Sequence, residues 1–459
     1  GLRARISALA AGWSDPSSGE SREEQLRAAV EERDVLETRC RERLAELGSI
    51  PDGLQADAAA AGLPPGSAAV TYRRYQRTAG GRRPAYMAHV LTPDGRLARV
   101  DLGDADVVER EVLAWRAAIG APMGPTRGIG KVVGPAKDEG VQAAGEALRA
   151  RLLDPVLPWT GGATRLHVCL DAALHLVPIE TLPSPGDWEA GPTVGDELEI
   201  VVAPSLALFL DRNPATPDLP RLLGLGNIDY GSGDSDPNAF SGLPGTTVEL
   251  EVVGRLFART FPDAAVAKLE GKAATKEAFA AEIPRATYLH LATHGWFAGT
   301  AEEPDAESRG GWEPMSEGAK LAVVAPMALC GLALSGASRS SEASVTGVVT
   351  GEELAGYDLS KCELAVLSAC DSNVGLRRSG QGILSLQAAL HEAGARTAIS
   401  SLWKIPDEAT SRLMELFYSG LWSRGLTTAQ ALREAKAALR EQGAPVREWG
   451  GWVLSGRPD

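Results

Sequence analysis

The chain has 459 residues, 44% of them hydrophobic and 23% charged, with a net charge of -14 at pH 7. That length allows two to three domains with real cores, and the acidic excess excludes the broad basic face of a nucleic-acid binder. No apolar run reaches a membrane span and no signal-peptide pattern opens the chain. Five cysteines without regular spacing exclude a disulfide framework and point to a reducing cytoplasm, where a thiol stays usable. Because the chain opens at Gly1 rather than Met, it is expected to be a trimmed or processed product.

Residues 20–47 predict one amphipathic helix with Leu26, Val30, Leu36, Cys40 and Leu44 on one face. From Ala68 the pattern turns to strands: AAVTYRRY and AYMAHVLT form a hairpin across TAGGRRP, and GRLARVDL follows. Helices are expected at 105–118 and 138–153, two strands around a turn at 165–182, and a closing segment EIVVAPSLAL. The Pro-rich stretch 212–220 reads as a linker, after which the pattern restarts. Strands are expected at 221–227, in AVAKLEG, at 286–294, at 362–370 and at 396–403. Helices are expected at 246–257, from the N-cap Thr275 onward, at 382–395 up to Gly394, and twice over 408–441. Alternating strands and helices imply an α/β fold with parallel crossovers. The stretch 297–320 holds six acids, four glycines and two prolines without a period, and is expected to be a mobile loop that gates activity.

In an open parallel sheet, sites form at the carboxyl ends of strands. YLHLATH ends at His294, followed by Gly295, and LAVLSAC ends at Cys370, followed by Asp371. If these strands are neighbours, one sheet edge carries a thiol and the imidazole that can take its proton. The N–H groups of Gly295 and Cys370 are then candidates to hold an oxyanion. The competing reading is a small buried cysteine at a strand end, and His290 in the same strand shows that a histidine here need not be catalytic.

The segments HLATHGWF, TGEEL, LAVLSACDSNVG and GQGILSLQAALHEAGARTAISSLWKIPDEAT together resemble the CHAT domain, a family of caspase-like cysteine peptidases related to separase. The resemblance extends upstream through RLHVCLDAALHLVPIETLPS and LGLGNIDY…LPGTTVELEVV, from about residue 55 to 440. It implies a caspase-like α/β sandwich: a helical segment at 1–54, a non-catalytic lobe at 55–215 and a catalytic lobe at 216–459. It places the catalytic pair on His294 and Cys370. Cys169 and His175, on one short unit of the first half, read as core residues. The resemblance further implies limited proteolysis of a dedicated protein partner in a bacterial stress, defence or cell-death system. A gasdermin-like pore former or a helical-repeat sensor segment is the kind of partner it suggests.

SSLWKIPD resembles the separase-type segment that brings an acid to the pocket for a basic P1 residue, here Asp407, with Ser401 and Trp403 beside it and Asp371 as a further pocket wall. An N-cap role competes for Asp407, which precedes EATSRLMELF. The backbone of 399–402 is expected to pair with an extended substrate. A catalytically silent docking scaffold is the rival reading of the whole chain, and acyl transfer to a small molecule is a second. GPTRGIGK at 124–131 is a poor phosphate loop, because its spacing is wrong and Val132 stands where Ser or Thr should be. No Cys/His cluster has zinc spacing, so neither cofactor nor metal is expected.

Overall fold

A computed structural model describes residues 2–10, 20–46, 56–78, 82–121, 138–185, 192–210, 219–231, 240–297, 326–338, 347–368, 376–378, 382–384 and 386–457. The strands are β1 (Ser67–Arg77), β2 (Arg83–Leu91), β3 (Leu97–Asp104), β4 (Arg165–Cys169), β5 (Glu199–Val202), β6 (Arg221–Ile228), β7 (Ala265–Gly271) and β8 (Tyr288–Leu291). They continue with β9 (Gly295–Phe297), β10 (Cys330–Ala333), β11 (Val348–Thr350), β12 (Leu364–Leu367), β13 (Leu376–Arg378), β14 (Gly382–Leu384), β15 (Thr397–Ser401) and β16 (Trp452–Gly456). The main helices are α1 (Leu2–Ala10), α2 (Arg22–Glu46), α3 (Ala105–Ala118), α4 (Asp138–Leu152), α5 (Gly245–Thr260), α6 (Lys276–Glu282), α7 (Gly351–Leu354), α8 (Leu386–Glu392), α9 (Asp407–Tyr418) and α10 (Thr428–Glu441).

Eleven strands make one sheet in the order β3-β2-β1-β4-β5-β16-β15-β12-β8-β6-β7. The first half of the chain supplies one end of this sheet and the second half the other, meeting where β16 pairs with β5 through Ser455 and Val202. Strands β15, β12, β8, β6 and β7 run parallel to one another, as do β1, β4, β5 and β16. The antiparallel pairing of β15 with β16 reverses one block against the other. The carboxyl ends of β4 and of β8 therefore leave opposite edges of the sheet, which keeps Cys169 away from His294.

The central strands are buried on both faces, as parallel strands covered by helices must be. Leu364, Val366 and Ile399 join one core, and Ala365, Leu367 and Ala398 join the other. The first core runs through both halves of the chain, from Trp115 and Leu148 to Trp403 and Phe417. Leu26 and Val30 of α2 are buried against Ile6 and Leu9 of α1, but Leu36, predicted on the same face, is 46% exposed. The nine residues of α1 cover only the first turns of the longer helix. Arg33 of α2 reaches the buried carboxylate of Glu352 in α7, with an N–O distance of 2.9 Å, and thereby ties the N-terminal helices to the second half.

Several predicted elements change at their ends. The 165–182 segment has one strand, β4, not two. The left-handed backbone at Ala172 (φ 50°) ends the extended run, and two short 3-10 turns follow, because Pro178 offers no N–H for a ladder. In 382–395 the first residues form β14, paired with β13, and the helix is confined to α8. Gly394 has the positive φ (111°) that ends it. Thr275 caps α6 as predicted, accepting the N–H of Ala278. Most of the linker at 212–220, the phosphate-loop candidate and most of 297–320 lie outside the described residues.

Burial pushes the His175 imidazole down to about 4, against an ordinary value of 6.5. Between those values the unfolded chain binds a proton that the folded chain refuses, so stability falls as pH drops through this window. Acidification from pH 7 to pH 4 is expected to cost about 3 kcal/mol at this residue. Urea unfolding of wild type and His175→Gln across this range checks it, the variant showing the shallower dependence on pH.

Candidate active site

Strands β8 and β12 are parallel neighbours, with Leu291 opposite Leu367. His294 follows Leu291 by three residues, and Cys370 follows Leu367 by three. Strands β8 and β12 thus end in register at one sheet edge. Strand β8 ends at Leu291, so His294 stands beyond the strand rather than at its last residue. Cys370 and Asp371 lie outside the described residues.

His294 is held on three sides. Its Nε2 lies 2.7 Å from the carbonyl oxygen of Ser241. A carbonyl only accepts, so Nε2 carries the hydrogen and the neutral ring keeps its lone pair on Nδ1. The rings of Tyr230 and Phe240 lie 5.1 and 5.4 Å from the imidazole. Buried Thr293 donates to the Ala333 carbonyl, which leaves Tyr230 as donor in the 2.9 Å bond between the Tyr230 and Thr293 hydroxyls. Burial pushes the His294 imidazole below its ordinary value, the Ser241 carbonyl pulls it up, Lys404 pushes it further down, and Asp407 raises it. The net shift is downward.

The next peptide bond carries the predicted oxyanion donor. The His294 carbonyl accepts the N–H of Ala333, on the side of β10. In a trans peptide the N–H points opposite the C=O, so the Gly295 N–H faces away from β10.

At Thr293, the residue before His294, a narrow cleft is walled by Thr293, Gly245, Glu249, Ser368, Ser401 and Asp407, with Trp452 and Thr410 among its other walls. Asp407 and Ser401 thus meet at one cleft. Asp407 does not cap α9: Pro406 occupies that position and Asp407 is the first helical residue. Its carboxylate leans on the start of α5, where a Cβ on Gly245 would stand 3.1 Å from the Asp407 Cβ and 3.3 Å from its Oδ2. Glycine lets the two helix starts approach this closely.

Trp403 is not among the cleft walls. It is 1% exposed, donates its indole N–H to the Arg447 carbonyl at 2.8 Å, and packs edge-on against Trp115 at 6.4 Å. The expected strand addition at 399–402 is also corrected. Strand β15 is interior, paired with β12 on one side and β16 on the other, and the Leu402 N–H is taken by Gly451.

Sequence reasoning missed Ser241, Tyr230 and Phe240, which approach His294 from the far end of β6. It also missed a buried chain behind the cleft. The Tyr418 hydroxyl meets His290 Nδ1 at 3.0 Å, His290 Nε2 lies 3.0 Å from Glu249 Oε1, and Ser368 donates to that same oxygen at 2.5 Å. For Tyr230 and Glu249 the signal was that LGLGNIDY…LPGTTVELEVV belonged to the resemblance. Burial pushes the thiols of Cys169, Cys330 and Cys362 up to about 12, so none of the three is a thiolate at neutral pH. Among the described residues no His, Cys, Asp or Glu side chains gather into a group able to hold a metal ion, and no helix is long and apolar enough to cross a membrane.

No curated protein sequence matches the chain. Among solved structures, the Saccharomyces cerevisiae separase–securin complex is similar at 10% identity and a TM-score of 0.48, over 88% of this chain and 31% of that one. The chain thus spans about a third of the separase chain it matches. The Arg specific cysteine proteinase gingipain R is similar at 11% identity and a TM-score of 0.40, over 76% of this chain and 74% of that one. A complex of the Porphyromonas gingivalis RgpB pro- and mature domains is similar at 13% identity and a TM-score of 0.32, over 77% and 76%. A family model described as the CHAT domain matches residues 142–457, more than two thirds of the sequence. The chain belongs to the CHAT domain family.

Proposed function

We propose that the protein is a cysteine endopeptidase with Cys370 as nucleophile and His294 as its acid–base partner. The observation that carries this reading is the bond from His294 Nε2 to the Ser241 carbonyl, which fixes the ring and leaves Nδ1 as the basic nitrogen at the edge where β8 and β12 end. Nδ1 takes the Cys370 proton, and the sulfur attacks the carbonyl carbon of the scissile peptide. The tetrahedral oxyanion is held by the backbone N–H groups of Gly295 and Cys370. The imidazolium then gives its proton to the departing amine, leaving a thioester on Cys370. A water, deprotonated by Nδ1, hydrolyses that thioester and returns the free thiol.

The acid at Asp407 on the cleft wall supports a basic P1 residue, since a carboxylate facing a guanidinium makes a charge-assisted, bidentate contact. The family supports limited cleavage of a dedicated protein partner in the bacterial cytoplasm, in a defence or cell-death setting, with a gasdermin-like pore former as the partner class.

Cleavage of a mixed-sequence peptide library is the test, with Cys370→Ala as control. Cuts after Arg or Lys that disappear in the variant are the expected result. Cuts that persist in the variant would overturn the assignment of the nucleophile. Absence of cuts, together with a thiol that a peptidyl chloromethyl ketone labels equally with and without His294, would favour a docking scaffold.

A further inference from the structure

The cleft at Thr293 has a second carboxylate that neither the sequence motifs nor the family resemblance assigns. Glu249 lies on α5, one turn in from Gly245, and is 4% exposed, whereas Asp407 on α9 is exposed at the cleft wall. Two helices thus bring one buried and one exposed acid to the same cleft.

A carboxylate buried this deeply needs compensation. Glu249 has it on one oxygen only: the Ser368 hydroxyl donates to Oε1, and His290 Nε2 lies 3.0 Å from that oxygen without making a hydrogen bond to it. Oε2 has no hydrogen-bond partner among the described residues, and it is not sealed from the cleft. The Tyr418 hydroxyl, kept protonated by burial, holds His290 at Nδ1, and the Ser368 hydroxyl holds Glu249 at Oε1. Trp452, another wall residue, has an indole N–H that is buried without an acceptor among the described residues. The remaining walls include the hydroxyl-bearing Thr293, Ser401 and Thr410. The cleft is therefore narrow, polar along its sides and negative at both ends.

We infer that Glu249 is a specificity residue at the inner end of the P1 pocket, and that the side chain it receives is a long cation, lysine or arginine, passing Asp407 to meet Glu249 Oε2. A short or neutral P1 side chain would leave that oxygen desolvated and unpaired. This inference rests on the peptidase reading for the word P1, but not for the binding of a cation. Ser368, two residues before Cys370, ties the pocket floor to the chain that carries the nucleophile.

The test uses the full chain and separates the two claims. Propylguanidinium, the bare arginine side chain, is titrated calorimetrically into wild type, Glu249→Gln and Asp407→Asn. Gln keeps the volume and an oxygen that accepts from Ser368, but removes the charge. The expected result is at least a tenfold weaker affinity in Glu249→Gln. In paired peptides differing only in Arg or Leu at P1, the kcat/KM preference for Arg should fall by a similar factor. The rate at which iodoacetamide alkylates Cys370 should stay within twofold. Failure of wild type to bind the cation, or equal binding by Glu249→Gln, overturns the pocket. So does a loss of alkylation in parallel with binding, which would make Glu249 a support for Ser368 and Cys370 only. Cation binding that depends on Glu249 in a protein that cuts neither peptide would sustain the pocket and defeat the peptidase reading.

Discussion

Replacing His294 with alanine is expected to lower peptide-bond cleavage by about three orders of magnitude, within the range general acid–base catalysis supplies. The imidazole is asked to do two jobs, taking the thiol proton and protonating the leaving amine, and no other described side chain is placed to do either. His290 is close in sequence, but it is fully buried, between Tyr418 and Glu249. The partly exposed ring of His294 contributes little to the fold, so the variant should unfold at nearly the wild-type temperature. A comparable loss of cleavage with a lowered melting temperature would mean that the ring is structural.

The same geometry sets the pH response. His294 titrates below the ordinary imidazole value because it is partly desolvated and faces Lys404. It therefore stays neutral, and able to accept a proton, to a lower pH than a free imidazole. Lys404→Ala removes a repulsion with the imidazolium and should move the acid limb of the rate profile to higher pH. Asp407→Asn removes an attraction and should move it lower. Opposite shifts from these two variants, read by the pH dependence of Cys370 alkylation, would identify His294 as the titrating group.

The second large effect is at Trp403. Its replacement by alanine is expected to destabilise the protein by about 4 kcal/mol, the cost of emptying a large buried aromatic site. The indole packs edge-on to Trp115 from the first half of the chain, and the Arg116 guanidinium lies 5.5 Å over its ring. Arg116 also bonds the Leu176 carbonyl at 3.1 Å and reaches that of Leu402 at 3.5 Å, so one buried cation links both halves around this ring. The site has no slack: a Cβ added at Gly451 would come within 2.7 Å of Trp403 Cε2. Denaturant unfolding checks the magnitude. Trp403→Phe, which keeps part of the packing, should lose less stability and leave KM for a basic peptide unchanged. A raised KM with full stability would restore Trp403 to the substrate site.

The sequence carried its strongest signals where burial repeats along an element. Helix α3 runs over the predicted 105–118, and α4 spans 138–152, because their apolar positions recur with the helical period. Strand ends were harder to place. The run YLHLATH has no Gly or Pro before His294, yet the ladder stops at Leu291 and the chain turns aside into β9. Nothing in the residue pattern marks that turn, since Thr293 is buried by a hydrogen bond to Ala333, forty residues later. In 165–182 the apolar run looked like a second strand because 3-10 turns packed into a core are as hydrophobic as a strand.

By itself the sequence determined the α/β class and the family to which the chain belongs, since these depend on periodicity and contiguous motifs. It also placed Cys169 and His175 in the core. Only the tertiary structure decided that the two halves share one sheet, with the strand blocks reversed so that β4 and β8 end at opposite edges. It alone removed Trp403 to the interior, closed the edge of β15, and set the Ser241 carbonyl against His294 and Glu249 in the cleft. Ser241 and Glu249 come from 53 and 119 residues before their partners His294 and Ser368. Such contacts arise from strand order and helix packing, and no local pattern of residue types records which distant carbonyl or carboxylate the fold will bring to a given side chain.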